Sequence, residues 1–591
     1  MKTQLNTLLS RGVLIALSLS VSATVSAKQI ELIATPKDAV ISKEMLQQNN
    51  GSRTGLKTLS AKPVKFIVEE QDVDSTIAEL MATGDYIAVE QDSPIMTPDT
   101  EFNFDFSHDY KVEGLTYDDE SREFDGDVPN DPLFYIQSQW EDRTESTPDG
   151  MGFTRAWNLV DSKQRVVVAV IDGGFGAEGY SADFTPIESV SVLYRDNVET
   201  NGIILNSRPG DSAYSTDEEI SCEKSHGLGV AGVATANTNN DNQIAGIADN
   251  AYVDTIAIQA VVCDTGLMSE MAKGIRLAAG GAVEGIGEAE GVEPLSVKAD
   301  IINVSLASKT ACSTYTQSAI DFARSQGAIV IAAAGNSSEP VSDYSPANCE
   351  GVITVGAGTS VDDDLASFSN YGSGLDIVAG GTSIVTLGIY GDPDSSTYGV
   401  GKISGTSIAS PIVAGTLAMA KTTSPSMSYE DMLALLQLTS TPMSGDTCNA
   451  VGCEQGTMHA ERFMLAVRGV EDGNAGVIMP ALLAGESCNP ELYTMIDAVK
   501  ARLCESTTVT LTNLLSPKYE APTVRFMASP AMEELTAENG QILYEGEEFT
   551  FPISGVEFDD VSFGYQLCHS GECEDFIFPV ELDLEGSELC N

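Results

Sequence analysis

Four histidines serve a chain of 591 residues: His108, His226, His459 and His569. Proton transfer near neutral pH draws first on this residue type. Only His226 sits among small residues, in SHGLGVAG, where backbone segments can approach closely and a ligand can come near. Asp172 closes the run VVVAVID, and a carboxylate at the end of a buried strand is costly unless a partner meets it. The stretch GKISGTSIASPIVAG, Gly401 to Gly415, presents Ser404, Thr406, Ser407 and Ser410 just ahead of an apolar, alanine-rich helical pattern. A helix start offers free backbone N–H groups and a positive dipole end, which stabilise a developing oxyanion. A hydroxyl nucleophile, a base, a group to orient the base and oxyanion donors together make acyl-transfer chemistry. Each signal also has an ordinary structural reading: a core histidine, an aspartate capping a turn, a serine capping a helix. The helix start alone does not choose among Ser404, Ser407 and Ser410.

These side chains need elements to hold them. From about Pro132 to Gly469, β-branched runs without polar alternation (RVVVAVID, AYVDTIAIQAV, ADIINVSLA, AIVIAAAGN, GVITVGAG) alternate with helical patterns such as MSEMAKGIRLAAG and YTQSAIDFARSQG. Strands of that composition are buried on both faces, and the helices between them make right-handed crossovers. The expected fold is therefore α/β, a mainly parallel sheet with helices on both faces. Ahead of it, KQIELIAT, VISKEMLQQ, VKFIVEE, STIAELMATG and YIAVEQD read as strand, helix, strand, helix, strand, a small α+β unit. Residues 99–131 are an acidic linker, suited to processing. Beyond residue 470, short segments such as TVTLTNLL, ILYEGEEFTFPI and FIFPVELDL suggest a mostly β, cysteine-containing C-terminal extension over 471–591.

IDGGFG around Asp172, HGLGVAG from His226, AAAGN ending at Asn336 and SGTSIASP around Ser407 resemble the subtilisin-like serine proteases, in that family's order Asp, His, Asn, Ser. The likeness spans roughly 132 to 469, with NNDNQIAGIA, INVSLA, YSPANCEGVITVGA and FSNYG between the motifs. It implies Ser407 as nucleophile, His226 as general base, Asp172 as the residue that orients His226, and Asn336 as side-chain oxyanion donor beside the Ser407 N–H. It also implies that Ser305, Leu306 and Ala307, with Ala333 and Gly335, line a cleft that binds an extended peptide as an added strand. Residues 28–98 then resemble an inhibitory propeptide, and PNDPLFYIQSQW from Pro129 the start of a mature enzyme. Several positions depart from the family pattern: Leu228 and Gly229 replace Thr-His after the base, and Ala307 replaces a glycine at the first specificity pocket. Gly380 stands in place of a proline, and Ile412 in place of a histidine after Pro411.

The whole chain bounds these readings. It carries 31 basic against 87 acidic residues, a net charge of -56, which opposes binding to nucleic acid and anionic lipid and favours solubility. Residues 1–27, with basic Lys2 and Arg11, a short apolar core and Val25-Ser26-Ala27, read as a secretory signal, so the mature protein is expected outside the cell, or in the periplasm during export, with no membrane segment. Export makes the eleven cysteines candidates for disulfides; Cys222, Cys263, Cys312, Cys349, Cys448 and Cys453 precede the extension, and neighbours in sequence are the default pairing. No cofactor is expected for catalysis. The resemblance allows a structural Ca2+, with Asn237 to Asn242 one place for it. The expected partners are protein or peptide substrates and the chain's own propeptide, on a monomer. Two other readings compete: a silent binding protein on a protease scaffold, and an ester-cleaving α/β-hydrolase using Ser407 and His459. The second needs a strong strand directly before the serine, and STYGVGKI is interrupted by glycines.

Overall fold

The computed structural model describes residues 29–36, 63–97, 129–471 with short internal gaps, and the backbone of several strands between 508 and 580. The signal segment, the helix expected at 40–48 and most of the acidic linker lie outside the described residues.

Strands β1 (Gln29–Pro36), β2 (Val64–Glu69) and β3 (Tyr86–Gln91) form an antiparallel sheet in the order β2-β1-β3, with helix α1 (Val73–Thr83) between β2 and β3. Ile30, Leu32, Ala34 and Val89 make its small core, with Ile77 and Leu80 of α1 packed against them. A short strand β4 (Pro94–Ile95) follows.

Seven parallel strands form the main sheet: β5 (Val166–Asp172), β6 (Glu188–Ser191), β9 (Val253–Gln259), β11 (Ile301–Val304), β12 (Ile329–Ala333), β13 (Val352–Gly358) and β14 (Ile377–Gly380). Their order is β14-β13-β12-β11-β5-β9-β6. A small hairpin, β7 (Val198–Thr200) and β8 (Ile203–Leu205), leaves the sheet after β6, and β10 (Gly266–Leu267) pairs antiparallel with β4. The unalternating sequence of β5 has a direct cause. Val166, Val168 and Val170 face one core and Ala169 and Ile171 the other, so both faces are dry. Helices α2 (His226–Thr235) and α5 (Thr406–Thr423) cover the first face, and α3 (Met268–Ala278) and α4 (Thr314–Ser325) the second. Helices α6 (Tyr429–Leu438) and α7 (Ala460–Glu471) pack around α5 on the first face. Strand order reverses around β5, which lies between β9 and β11. In open parallel sheets the carboxyl ends of the strands beside such a reversal are where ligands bind.

STYGVGKI does form a strand, contrary to its glycine-interrupted look. As β16 (Thr397–Ile403) it pairs over seven residues with β15 (Ile384–Tyr390) in a hairpin outside the parallel sheet. The ester-hydrolase reading needs its serine on a strand of the central sheet, and Ser407 follows this hairpin instead. In the extension, four strands pair antiparallel in the order Gln541–Tyr544, Thr523–Ala528, Val561–His569, Glu572–Val580.

Candidate active site

Asp172 is the last residue of β5 and His226 the first of α2; both are buried. Two glycines bring them together. A Cβ on Gly173 would meet Val261 O at 2.1 Å, and one on Gly227 would meet Gly173 O at 2.6 Å, so neither position admits a side chain. Gly227 N–H donates to Gly173 O (2.6 Å) and Leu228 N–H to Gly174 O (3.1 Å), docking the first turn of α2 onto the end of β5. His226 Nδ1 then lies 2.7 Å from Asp172 Oδ1, which also accepts the Gly173 N–H at 2.7 Å. A carboxylate only accepts, so Nδ1 carries the proton and Nε2 is left as the basic nitrogen.

Ser407 is the second residue of α5 and fully buried. A Cβ on Gly415 would stand 3.0 Å from Ala234 O, so α2 and α5 are in direct contact there. Gly415 is eight residues on from Ser407, as Ala234 is from His226. Both helix starts sit at the carboxyl ends of neighbouring strands: His226 on Asp172 at the end of β5, and Ser407, whose carbonyl accepts from Ser305 Oγ, just past the end of β11. Ser407 Oγ makes no hydrogen bond to a described residue. In the absence of substrate such catalytic contacts are commonly long.

The first N–H groups of α5 are nearly all spoken for. Thr406 N–H donates to Asn336 Oδ1 (2.9 Å), and the N–H groups of Ile408 and Ala409 reach Gly405 O. Among the described residues the Ser407 N–H has no acceptor. Asn336 Oδ1 also accepts the Thr406 hydroxyl (2.8 Å), which in turn accepts from Gly335 N–H (3.0 Å). Those bonds hold Oδ1 at the helix start and turn Nδ2 to the opposite side of the amide. Gly335 has φ +101°, and a Cβ there would strike Asn370 Nδ2 at 2.4 Å.

Several residues that organise this site carry no signal of that role in the sequence. Asn370, inside FSNYG, donates to Ala334 O and accepts from Ser337 and Glu339 N–H, bracing the loop that bears Asn336. Tyr344 lies beside Gly335, with Oη donating to Glu339 Oε2 (2.5 Å). Asn303, inside INVSLA, donates to Ser305 Oγ at 2.9 Å. Their segments were visible as motifs, but an asparagine's partners are set by chain crossings remote in sequence. Leu306, Ala307 and Ala333 are buried where β11 and β12 end.

The departures have local causes. Gly229 leaves room for Ile403 of β16 (2.6 Å from a Cβ built there), and its carbonyl accepts the Thr386 hydroxyl. Gly380 leaves room for the Met151 sulfur (2.9 Å from such a Cβ). Ile412 is buried in the core of the α2–α5 face. His459 lies beside Gly152 and has no part in the Asp172–His226 pair.

Around the loop Asn237 to Asn242, Asp131 accepts the N–H groups of Asn239 and Asn240, while Asp183 accepts Asn240 Nδ2, Asn242 Nδ2 and Ile244 N–H. Burial pushes both carboxyls up, Asp131 to about 6, and the charge on Asp183 adds to the rise at Asp131. Among the described residues no group of three or more His, Cys, Asp or Glu is placed to hold a metal. A cation here would draw on these two carboxylates and the loop's amide and backbone oxygens, a donor set suited to a hard ion. Cys312 and Cys349, neighbours in sequence, form a disulfide (Cα–Cα 5.2 Å), and Cys263 and Cys448 are also disulfide-bonded.

The parallel α/β sheet thus sets an aspartate at the end of β5, a histidine at the start of one helix and a serine in the first turn of another. The chain belongs to the subtilase family, whose model matches residues 163–458. Among curated relatives, an extracellular protease of Xanthomonas campestris pv. campestris is 33% identical over 355 residues, 57% of each chain. A thermophilic serine proteinase of Bacillus sp. (strain AK1) is 39% identical over 266 residues, 45% of this chain and 54% of that one. A solved structure of a protease from Pseudoalteromonas arctica is 30% identical, with a TM-score of 0.49, covering 58% of this chain and all of the other. The chain spans about half the length of the curated relatives it matches. Among the described residues no helix is long and apolar enough to cross a membrane.

Proposed function

We propose that this chain is a secreted serine endopeptidase that cleaves peptide bonds of proteins through an acyl-enzyme on Ser407. The observation that carries the reading is the buried Asp172–His226 hydrogen bond at the end of β5, with Ser407 held at the end of the adjacent strand β11 by the bond from Ser305 Oγ to its carbonyl. His226 Nε2 takes the proton as Ser407 Oγ attacks the scissile carbonyl, and Asp172 holds the tautomer and stabilises the imidazolium. The Ser407 N–H and Asn336 Nδ2 receive the oxyanion. His226 then protonates the departing amine, and water repeats the sequence on the ester. The substrate lies extended between Ser305-Leu306-Ala307 and Ala333-Gly335.

The chain is made as a precursor, with residues 28–98 as its intramolecular inhibitor. Two carboxylates at the end of that unit support this. Glu90 accepts the Thr314 N–H at the start of α4 (2.9 and 3.0 Å), and Asp92 accepts the Ser269 N–H and hydroxyl at the start of α3 (3.0 and 2.6 Å). Each closes a helix N-terminus with negative charge. Between them and residue 98, β4 lies as an added strand on β10, with Ile95 fully buried. That is how a peptide entering the cleft would bind. A calcium ion at Asp131, Asp183 and the Asn237–Asn242 loop would neutralise two buried acids and fix the loop, with no part in bond cleavage.

Ser407→Ala abolishes hydrolysis and fluorophosphonate labelling on this reading, and Asn336→Ala lowers kcat by about 10²–10³. A Ser407→Ala variant that still hydrolyses casein would refute Ser407 as the nucleophile, and a parent protein inert to both fluorophosphonate and casein would leave a silent binding scaffold.

A further inference from the structure

The residue four positions after Ser407 is Pro411, inside α5. Proline has no N–H, and its ring crowds the carbonyl of residue i−4, so the Ser407 carbonyl is shut out of the helix ladder. A buried carbonyl without a donor is costly. The donor here comes from another element: Ser305 Oγ, just past the end of β11, donates to Ser407 O at 2.8 Å. Behind Ser305 the bonds continue. Asn303 Nδ2 donates to Ser305 Oγ (2.9 Å), and Ser410 Oγ donates to Asn303 Oδ1 (2.5 Å). Ser305, Asn303, Ser407 and Ser410 are all fully buried. Every hydrogen along this chain has one direction. Asn303 can present its amide N–H to Ser305 only because Ser410 occupies its oxygen, and Ser305, accepting from Asn303, is left to donate to Ser407.

Resting on the reading of Ser407 as nucleophile, we infer that Asn303 and Ser410 are positioning residues. Their relay through the Ser305 hydroxyl pins the backbone of the nucleophile to the strand that holds the substrate. Pro411 is the element that makes the relay necessary, because it frees the carbonyl the relay grips. Both ends of the chain of bonds lie on α5, at Ser407 and Ser410, and its middle is the β11 exit, where Ser305-Leu306-Ala307 lies along the peptide. The distance between attacking oxygen and bound carbonyl is thereby set by three short buried bonds, independently of the loops around the cleft.

The test separates positioning from mere satisfaction of a buried carbonyl. Ser305→Ala removes the donor; Pro411→Ala added to it supplies an intrahelical N–H to the same carbonyl. Rates of fluorophosphonate labelling at Ser407, kcat and KM on a peptide substrate, and Tm are measured for the parent, Ser305→Ala, Asn303→Asp and Ser305→Ala/Pro411→Ala. Ser305→Ala and Asn303→Asp are expected to slow labelling and lower kcat by about 10–100-fold, the scale of a sub-ångström to 1 Å misplacement, with KM changed less than about threefold. In the double variant Tm recovers while labelling and kcat stay at least about tenfold down. Recovery of both together would overturn the inference, as would single variants that label at the parent rate. A parent that does not label at all would refute the nucleophile reading itself, a different failure from a reactive parent with unaffected variants.

Discussion

Gly227 offers a sharp quantitative test of how the base is held. In the first turn of a helix, replacing glycine by alanine ordinarily helps, by up to about 1 kcal/mol. Here the new methyl would lie 2.6 Å from Gly173 O and 3.1 Å from both Asp172 Cβ and Phe175 Cε1. A carbon meets a carbonyl oxygen at about 3.3 Å or more, so α2 and the end of β5 must part by roughly 0.7 Å. The Gly227 N–H···O=C Gly173 bond and the 2.7 Å His226–Asp172 bond span that same gap. Overpacking of this kind costs about 1–3 kcal/mol, which outweighs the helix propensity gain. Misplacing the base on that scale should lower kcat/KM by about 10–100-fold. Gly229→Ala is the control, since its methyl meets the far end of the Ile403 side chain (2.6 Å), which can turn away, and backbone only at 3.4 Å. It should cost less than about 1 kcal/mol with activity within a few-fold of the parent. The assays are hydrolysis of a chromogenic peptide and thermal unfolding. Equal activity and Tm for Gly227→Ala and the parent would refute the argument that glycine is required for the helix–strand approach.

Asp376 is half-buried and accepts the Thr354 N–H (2.8 Å), and burial pushes its carboxyl up to about 6. A carboxyl raised above its unfolded value of about 3.9 contributes stability below pH ~4 that is lost as pH rises through ~6, up to ~3 kcal/mol. Asp376→Asn keeps the acceptor and removes the charge, so it should raise Tm at pH 8 and make little difference at pH 4; a gap of the same size at both pH values would contradict this. In an uncut Ser407→Ala precursor, Glu90→Ala and Asp92→Ala should each weaken docking of the N-terminal unit by about 1–2 kcal/mol, read as earlier cleavage by an added protease between 28 and 98. Equal resistance would mean that the two caps do not hold the unit. Millimolar Ca2+ should raise the Tm of the parent and EGTA lower it, with Asp183→Asn removing the response; an unchanged response in that variant would place the ion elsewhere.

Much of this molecule is legible along the chain. The unalternating β-branched runs announced strands buried on both faces, because a parallel sheet covered by helices has no wet side to pattern. The glycines and small residues around Asp172, His226 and Ser407 marked close backbone approach, and the order of four motifs chose Ser407 where the helix start alone left three serines open. Tertiary structure alone decided which groups meet. That Asp172 and His226 share a hydrogen bond depends on a helix docking onto a strand end 54 residues away. That Asn370 braces the Asn336 loop, and that Ser305 donates to the carbonyl Pro411 leaves unpaired, depends on crossings of 36 and 102 residues. A local pattern reports whether a residue is buried and what backbone it favours. The partner of a buried polar group is set by the topology that brings remote strand and helix ends to one place, and no short-range pattern carries that information.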